Sequence, residues 1–411
     1  MTWQQIPCAA ETRGEPAGCV LLGDSTSLDL SGFEGRAACV YLDPPYLTGE
    51  TFRLHQRIGT EGWRTGKRQL ELFAYSDRYS DREEYLNELR LILLKASGLL
   101  SDRGAIFVHV DTRVDAHVRL LMDKLFGERN FVNQIIWSYQ SGGRSKKHYS
   151  RKHDLIFFYR KSAALRFDIS RVPIAREGNR QNHMRRTVDE NGRPCRTIRS
   201  AGRTYVYYDD DPVYPGDVWS DLSHLQQKDP QRTGYDTQKP VSLLNRIILP
   251  VSDENDLVCD LCAGSGTTGI AAAQAGRRFL LADSSAAAVS VIRRRLIQAR
   301  IPFELKAPCG EGGSLTARLY PGLGFYDVCL DAFVPPVPWP EGISGPDGVD
   351  QWSVGFVRDG TFHVFEEATR SQREPELNRQ LQLPMTGGTP AVLISDILGD
   401  RYCFEWRGEA H

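Results

Sequence analysis

The 411-residue sequence lacks several features that would identify whole classes of protein. Its net charge is only −1, from 51 Lys and Arg against 52 Asp and Glu, so the chain as a whole has no excess charge to attract a polyanion. It contains no apolar run of about 18 residues, and its first residues lack the basic-then-apolar order of a secretion signal. We therefore expect a soluble, cytoplasmic protein that makes no contact with a membrane.

Paired cysteine motifs are scarce as well. The nine cysteines are odd in number, and several lie within apolar runs, which is typical of reduced core thiols rather than of a disulfide framework. Cys259 and Cys262 form one C-x-x-C pair, but no second pair of ligands at similar spacing follows it. We expect no metal site.

Apolar runs and amphipathic stretches alternate over the first 300 residues. The predicted elements are strands over 18–24, 38–43 and 104–111, helices over 80–98 (N-cap Ser80), 112–126 and 237–252, and a long polar loop over 50–80. Alternation of this kind predicts an α/β fold with a doubly wound, mostly parallel sheet.

The stretch 144–203 differs in charge from the rest of the chain. It contains 17 Lys and Arg against 5 Asp and Glu, and apart from a strand over 153–161 we predict it to be irregular. Locally concentrated positive charge favours contact with the phosphates of a nucleic acid. We expect Arg144, Lys146 and Lys147 to be among these contacts, the alternative being a solvated loop without a partner.

The segment Asp43-Pro44-Pro45-Tyr46 stops an apolar run abruptly. Proline has no amide hydrogen and restricts the residue before it, so these two prolines end the strand and stiffen the turn. Ligands of open α/β sheets bind at such strand ends. The segment therefore predicts a carboxylate, a carbonyl oxygen and a ring in fixed relation, although a plain proline-rich turn is the alternative.

A glycine motif follows a second predicted strand, which ends at Asp260. Gly264, Gly266 and Gly269 match G-x-G-x-x-G, and Asp283 ends the next strand, so a dinucleotide such as NAD or FAD is one interpretation. The Asp260 carboxylate favours another, because it would repel a pyrophosphate and attract a cationic amino-acid ligand such as S-adenosylmethionine. A glycine-rich turn without a ligand is the third.

Three segments in this order resemble the β-class amino-group DNA methyltransferases: LDPPYLTG, TQKPVSLLNRII and DLCAGSGTTGIAA. The resemblance covers about residues 18–300, and the sequence departs from the usual family motifs at 235–237 and at 260–263. It implies a methyltransferase fold, S-adenosyl-L-methionine as cofactor and double-stranded DNA as substrate. The tail is similar to those of some type III modification subunits, which implies a restriction endonuclease as a further partner; a homodimer is compatible with the pattern.

The resemblance also implies roles for individual residues. The catalytic residues are Asp43, Pro44, Pro45 and Tyr46, of which the first two accept the hydrogens of the target amine and Tyr46 stacks on a flipped base. The residues expected to bind the cofactor are Asp24, Gln238, Lys239, Pro240, Asp260, Ala263, Gly264, Ser265, Gly266, Thr267, Thr268 and Asp283.

We divide the chain into four parts on these patterns. They are a first catalytic part (1–143), an inserted target-recognition region (144–232), a cofactor-binding part (233–303) and a small, mostly β C-terminal appendage (304–411). The strands that end at Asp43 and Asp260 are expected to be neighbours in the sheet.

The resemblance makes adenine N6 the expected target amine, because cytosine-N4 members of that family more often have Ser where this sequence has Asp43. The alternatives are cytosine N4, or a modification subunit that works within a restriction-modification complex.

Overall fold

The computed structural model describes residues 2–139, 145–175, 184–208, 210–226 and 229–408, so the predicted DNA contact Arg144 lies outside the described residues. Within them the chain forms 23 strands and six α-helices. The strands are β1 Thr2–Gln5, β2 Ala10–Thr12, β3 Gly18–Leu22, β4 Ala37–Leu42, β5 Thr51–Arg57, β6 Gln69–Ser76, β7 Leu100–Val110, β8 Phe131–Ser138, β9 His153–Arg160, β10 Arg185–Val188, β11 Pro194–Ser200, β12 Arg203–Tyr208, β13 Val218–Trp219, β14 Leu257–Asp260, β15 Arg278–Asp283, β16 Phe303–Lys306, β17 Ser314–Pro321, β18 Phe325–Val334, β19 Val349–Arg358, β20 Thr361–Thr369, β21 Gln380–Pro384, β22 Pro390–Asp396 and β23 Arg401–Arg407. The helices are α1 Gly59–Thr65, α2 Arg82–Leu99, α3 Asp115–Phe126, α4 Val241–Ile248, α5 Thr267–Gln274 and α6 Ala286–Gln298.

One sheet runs through the whole molecule. Its strand order is β1-β23-β22-β19-β20-β2-β16-β3-β15-β14-β4-β7-β9-β8-β13. The strands from β16 to β7 are parallel, and β9 follows antiparallel to β7. Because α2 and α3 pack on one face and α4, α5 and α6 on the other, the predicted doubly wound, mostly parallel sheet is confirmed for this part of the chain.

Strand β4 lies inside this parallel part, next to its last strand β7. All six of its residues are buried, as expected for a strand covered by helices on both faces. β14 is its neighbour on one side and β7 on the other. The predicted adjacency of the strands that lead to Asp43 and Asp260 is therefore confirmed.

The N-terminus of α2 differs by one residue from the prediction. Asp81, not Ser80, is the N-cap, and its carboxylate accepts a hydrogen bond of 2.9 Å from the Glu84 amide. Ser80, the residue before the N-cap, donates from its amide and its hydroxyl to the Glu84 side chain, each at 2.7 Å, so it also stabilises the start of the helix.

The predicted loop over 50–80 is wrong. β5 and β6 pair antiparallel, with α1 between them. Leu54 of β5 and Ala74 of β6 are buried against Ala288 and Val291 of α6. The outward-facing side chains of this hairpin are largely polar, and they obscured the alternation that buries its inner face.

The prediction that 144–203 is irregular outside one strand is also wrong. β10, β11 and β12 form a separate antiparallel sheet of three strands. Most of its residues are exposed, including Ile198, Tyr205 and Tyr207. A sheet with so little buried surface has a weak apolar pattern, which explains why the sequence did not reveal it.

The chain beyond residue 304 is mostly β, as predicted. Four of its strands, β19, β20, β22 and β23, continue the main sheet, while β17, β18 and β21 form a second sheet. The boundary drawn between residues 303 and 304 falls inside β16, which pairs with β3 of the catalytic part and with β2. The four-part division of the chain stays a prediction.

A buried carboxylate ties this C-terminal part to the catalytic part. Glu11 of β2 is fully buried and accepts hydrogen bonds from Arg293 of α6 at 2.7 Å, from Arg401 of β23 at 3.1 Å and from Arg13 at 2.9 Å. Burial opposes its ionisation, but the three guanidinium groups hold the pKa of Glu11 well below its usual range. Four buried charges thus join three distant segments of the chain.

Three further observations concern the cysteines, the lengths of the helices and possible metal ligands. All nine cysteines are free thiols. Among the described residues, no helix is both long and apolar enough to cross a membrane. No group of three or more His, Cys, Asp or Glu within the described ranges is arranged to hold a metal ion.

Candidate active site

Four acidic residues follow four neighbouring parallel strands. Asp24 comes after β3, Asp283 ends β15, Asp260 ends β14 and Asp43 follows β4. Because these strands are adjacent and parallel, their carboxyl ends share one edge of the sheet. All four residues line one open cavity.

Most of the other predicted site residues line the same cavity. Those that do so are Pro45, Lys239, Ala263, Gly264, Ser265, Thr267 and Thr268. The predicted residues that lie outside its lining are Pro44, Tyr46, Gln238, Pro240 and Gly266.

Three of these outlying residues support the loops around the cavity. Gln238 is buried, and its side chain accepts from the Thr233 amide at 2.9 Å. Pro240 is the N-cap residue of α4. Gly266 has a φ of +75°, and a side chain there would meet Ile292 at 2.8 Å rather than enter the cavity. Gly266 therefore serves the turn and the packing of α6 rather than leaving space for a ligand.

The two buried acids of the cavity are held by local contacts. Asp260 accepts from the Cys262 amide at 3.0 Å and from the Thr268 hydroxyl at 2.5 Å, and burial raises its pKa to about 7 against these bonds. Asp283 accepts from the Gly264 amide at 2.8 Å, and burial raises its pKa to about 6. A cationic ligand would favour the carboxylate forms, whereas a pyrophosphate would oppose them.

Asp43 is paired with two other side chains. The Tyr46 hydroxyl donates to one carboxylate oxygen, and Lys239 Nζ lies 2.6 Å from the other. Lys239 Nζ is also 3.4 Å from the Tyr46 hydroxyl oxygen. Burial raises the pKa of Tyr46 well above its usual range, so the phenol keeps its proton and donates it. Lys239, expected along the cofactor, thus also contacts the predicted catalytic carboxylate.

A buried carboxylate that the sequence analysis missed holds the proline segment in place. Asp77 accepts hydrogen bonds from the amides of Tyr46 at 3.1 Å, Leu47 at 2.7 Å and Thr48 at 2.9 Å. Leu47 has a φ of +55°, a left-handed conformation that side chains rarely adopt, and these bonds stabilise it. Asp77 follows β6, so the mistaken loop prediction over 50–80 concealed it.

Further cavity residues were missed because they come from elements far along the chain. Tyr75 of β6, Glu88 of α2 and Tyr235, which precedes α4, all line the cavity. Burial raises the pKa of Glu88 above its ordinary value. The long apolar helix pattern that contains Glu88 was visible in the sequence, but which of its polar residues faces the sheet edge was not.

The predicted basic contacts lie apart from the cavity lining. Lys146 and Lys147 are exposed. In the β10–β12 sheet, Arg203 of β12 pairs with Ser200 of β11. Arg203, Tyr205 and Tyr207 are every second residue of β12, so their side chains lie on the same face. This face therefore combines positive charge with exposed rings.

Several known proteins resemble this chain in sequence. A family model described as DNA methylase matches residues 37–294, more than half of the chain. The type II methyltransferase M.EcaI of Enterobacter cloacae is 25% identical over 335 residues, which cover 70% of this chain and 71% of that protein. The DNA adenine methyltransferase YhdJ of Escherichia coli (strain K12) is 26% identical over 293 residues, covering 70% of this chain and 86% of that protein.

Among solved structures, the PvuII DNA methyltransferase (cytosine-N4-specific) is similar with a TM-score of 0.45 and 16% identity. That similarity covers 69% of this chain and 89% of the other.

Proposed function

Because the chain belongs to the N6/N4 family of DNA methylases, we propose that it transfers a methyl group from S-adenosyl-L-methionine to adenine N6 of a base flipped out of duplex DNA. One observation carries the proposal. The Asp43 carboxylate lies at the end of β4, next to the strand that ends in Asp260 and on the wall of the acidic cavity.

The cavity suits the cofactor in charge. S-adenosyl-L-methionine, when bound, supplies a methyl group on a positively charged sulfonium, and four aspartate carboxylates line the cavity. Asp260 and the segment 263–268 would hold its charged amino-acid part, while Asp283 and Asp24 would accept hydrogen bonds from its ribose and adenine.

The proline segment would make the target amine a better nucleophile. An exocyclic amine is a poor nucleophile because its lone pair is delocalised into the ring. When the Asp43 carboxylate and the Pro44 carbonyl oxygen each accept one amine hydrogen, the nitrogen becomes more tetrahedral and its lone pair is freed. The Asp77 hydrogen bonds keep this segment rigid, so little reorganisation is needed when the base arrives.

Entry of the base requires an exchange of partners at Asp43. Lys239 Nζ now takes a place at the carboxylate that an amine hydrogen would occupy. The Lys239 ammonium and the target amine are both N–H donors. When the amine takes the place of the ammonium, both oxygens of the Asp43 carboxylate therefore keep a partner. Tyr46 then supplies a ring on which the flipped base can stack.

Adenine is favoured over cytosine on two grounds. Asp43 stands where cytosine-N4 enzymes more often have Ser, and a carboxylate accepts the amine hydrogen more strongly than a hydroxyl does. The relative YhdJ is named a DNA adenine methyltransferase. Cytosine N4 remains the second candidate, since both amines present two hydrogens in the same way.

Duplex DNA would lie along the basic region. The exposed Lys146, Lys147 and the Arg- and Tyr-bearing face of β10–β12 can contact phosphates and bases. Arg144, outside the described residues, belongs to the same predicted surface. A restriction endonuclease partner and a homodimer stay predictions that rest on the family resemblance.

Mass spectrometry of nucleosides tests the proposal. Purified protein, at a concentration far below that of the DNA sites, is incubated with plasmid DNA and S-adenosyl-L-methionine. We expect N6-methyladenine in excess of protein. N4-methylcytosine without N6-methyladenine would overturn the substrate, and transfer that never exceeds one methyl group per chain would overturn catalysis by the single chain.

A further inference from the structure

A series of rings lies on the β7 side of Asp43, opposite the acidic cavity. β7, β8 and β13 end at the same edge of the sheet at which β9 begins. Their ends bring together five side chains, namely His109, Trp137, Tyr139, Asp154 and His224. We call these five residues the ring cluster.

The rings of the cluster connect the catalytic tyrosine to His224. The centroids of Tyr46 and His109 are 6.1 Å apart, and those of His109 and Trp137 are 5.6 Å apart. His224 packs on Trp137 and on Tyr139, each with a centroid distance of 4.1 Å. The cluster therefore extends without a break from the place where the flipped base would stack.

Most polar atoms of the cluster have partners. His109 lies 2.9 Å from the Tyr41 hydroxyl through Nδ1 and 3.3 Å from Asp154 through Nε2. Tyr139 donates to Asp154 at 3.2 Å. By contrast, the Nε2 atom of His224 is shielded from solvent and has no hydrogen-bond partner among the described residues. A buried polar atom without a partner costs stability, so such an atom points to a bound group.

The position and charge state of His224 are both defined. The Trp137 indole donates to the Leu222 carbonyl at 2.8 Å, which fixes the segment that carries His224. Burial is the main cause that lowers the pKa of His224 to about 4; the charges of Lys239 and His109 act in the same direction and that of Asp154 acts against them. The ring is therefore neutral at physiological pH and can donate one hydrogen bond without adding a charge.

We propose that His224 Nε2 donates a hydrogen bond to the ring nitrogen next to the target amine, which is N1 in adenine. This inference rests on the proposed function. Once Asp43 and Pro44 accept the amine hydrogens, that ring nitrogen is a bare acceptor and needs a donor. Other donors lie near, among them Lys239, which the base displaces from Asp43, and the hydroxyls of Tyr75 and Thr237 in the cavity wall. His224 Nε2 differs from them because it is shielded from solvent and has no hydrogen-bond partner among the described residues.

The consequence is a role in specificity. A site built to donate to a ring nitrogen rejects a base that lacks it, because the donor is then left unpaired. His224 would thus read the pairing edge of the flipped base, while Asp43 and Pro44 read its amine.

Substituted bases and substituted proteins together test this role. After the methylated sequence has been mapped by sequencing of modified DNA, duplexes are made with adenine or 1-deazaadenine, in which N1 is a C–H group, at the target position. kcat/KM is measured on both duplexes for the wild type, His224→Ala, and His224→Phe, which keeps the packed ring. His117→Ala on α3 is the control, and thermal melting and cofactor affinity show whether each variant folds.

We expect the wild type and His117→Ala to lose about 10- to 100-fold on 1-deazaadenine. On adenine, both His224 variants should have a kcat/KM that is lower than that of the wild type by a similar factor. Replacing adenine with the analogue should then lower their kcat/KM by less than about threefold. Discrimination by the folded variants as strong as that of the wild type would overturn the role of His224. A wild type that methylates neither adenine nor cytosine would overturn the proposed function instead, so the two failures are distinguishable.

Discussion

The two sides of strand β4 are built in different ways. On the β14 side, the acids of the cavity are satisfied close by: Asp260 bonds Thr268, eight residues away, and Asp283 bonds Gly264, 19 residues away. On the β7 side the contacts join distant segments. His109 pairs with Asp154, 45 residues away, and Trp137 bonds Leu222, 85 residues away.

This difference has a functional meaning. A cofactor is the same molecule in every member of such a family, and a short strand-turn-helix segment is enough to bind it. The target base and its surroundings differ between enzymes, and the base site proposed here draws on side chains from several strand ends and from the segment that carries His224. One short motif can therefore contain most of the residues that bind the cofactor, whereas the proposed base site depends on the whole fold.

The largest effect should follow from removing the acceptor between the two sides. Asp43→Ala should lower kcat by about 100- to 1000-fold, since one preorganised partner of the reacting amine is lost. The affinity for S-adenosyl-L-methionine, measured by calorimetry, should stay within about threefold.

Asp43→Ala also leaves the half-buried Lys239 without its partner, so the double variant Asp43→Ala/Lys239→Met is the control for folding. A cofactor affinity that falls as far as kcat would mean that Asp43 belongs to the cofactor side.

On the other side, Asp260→Asn should act on the cofactor alone. The asparagine side chain has the shape of aspartate but lacks the charge that a cationic ligand requires. The affinity for S-adenosyl-L-methionine should therefore fall about 10- to 100-fold, while kcat at saturating cofactor changes little. Glu254→Gln, an exposed acid shortly before β14, is the matched control. A large loss of kcat at saturation with unchanged affinity would contradict the assignment.

The pH dependence of cofactor affinity sharpens the same point. The pKa of Asp260 is raised to about 7, so the free protein binds a proton there at pH 6 that a cationic ligand must release. Affinity should therefore rise up to about tenfold from pH 6 to pH 7.5, with proton release detected by calorimetry in buffers of different ionisation enthalpy.

Without ligand, the free energy of unfolding depends on pH in the opposite direction to the cofactor affinity. The reason is that a carboxyl group whose pKa is raised in the folded state stabilises the fold at low pH. That contribution is lost as the pH rises through about 7. In Asp260→Asn both trends should flatten, and an unchanged pH profile in that variant would assign them to another group such as Asp283.

The smallest effect concerns the DNA surface. Replacing Lys146 and Lys147 with Ala should weaken duplex binding several-fold and reduce the slope of log affinity against log salt concentration by roughly two units. Lys306→Ala, an exposed cation on β16, should leave the slope unchanged. If the slope of the double variant matched that of the wild type, the phosphate contacts would have to come from β10–β12 or the β5–β6 hairpin.

The sequence by itself determined the strand ends, the acids that follow them and the adjacency of the strands that lead to Asp43 and Asp260. Asp43 and Asp260 each follow an apolar run and precede a conformationally restricted turn, so local chemistry was enough to place them at one edge. The chain resembles its family in these local segments, and most of the residues predicted from them line the cavity.

Only the tertiary structure decided what surrounds Asp43. Lys239 bonds the Asp43 carboxylate, Asp77 holds the amides of the residues after the proline pair, and His224 packs on Trp137. The loops and the hairpin that carry these residues are positioned by packing of the whole sheet, and no short-range pattern in the sequence encodes such contacts. The β5–β6 hairpin and the β10–β12 sheet were missed for a related reason. Each buries little apolar surface of its own, so its periodicity is weak until the neighbouring elements are in place.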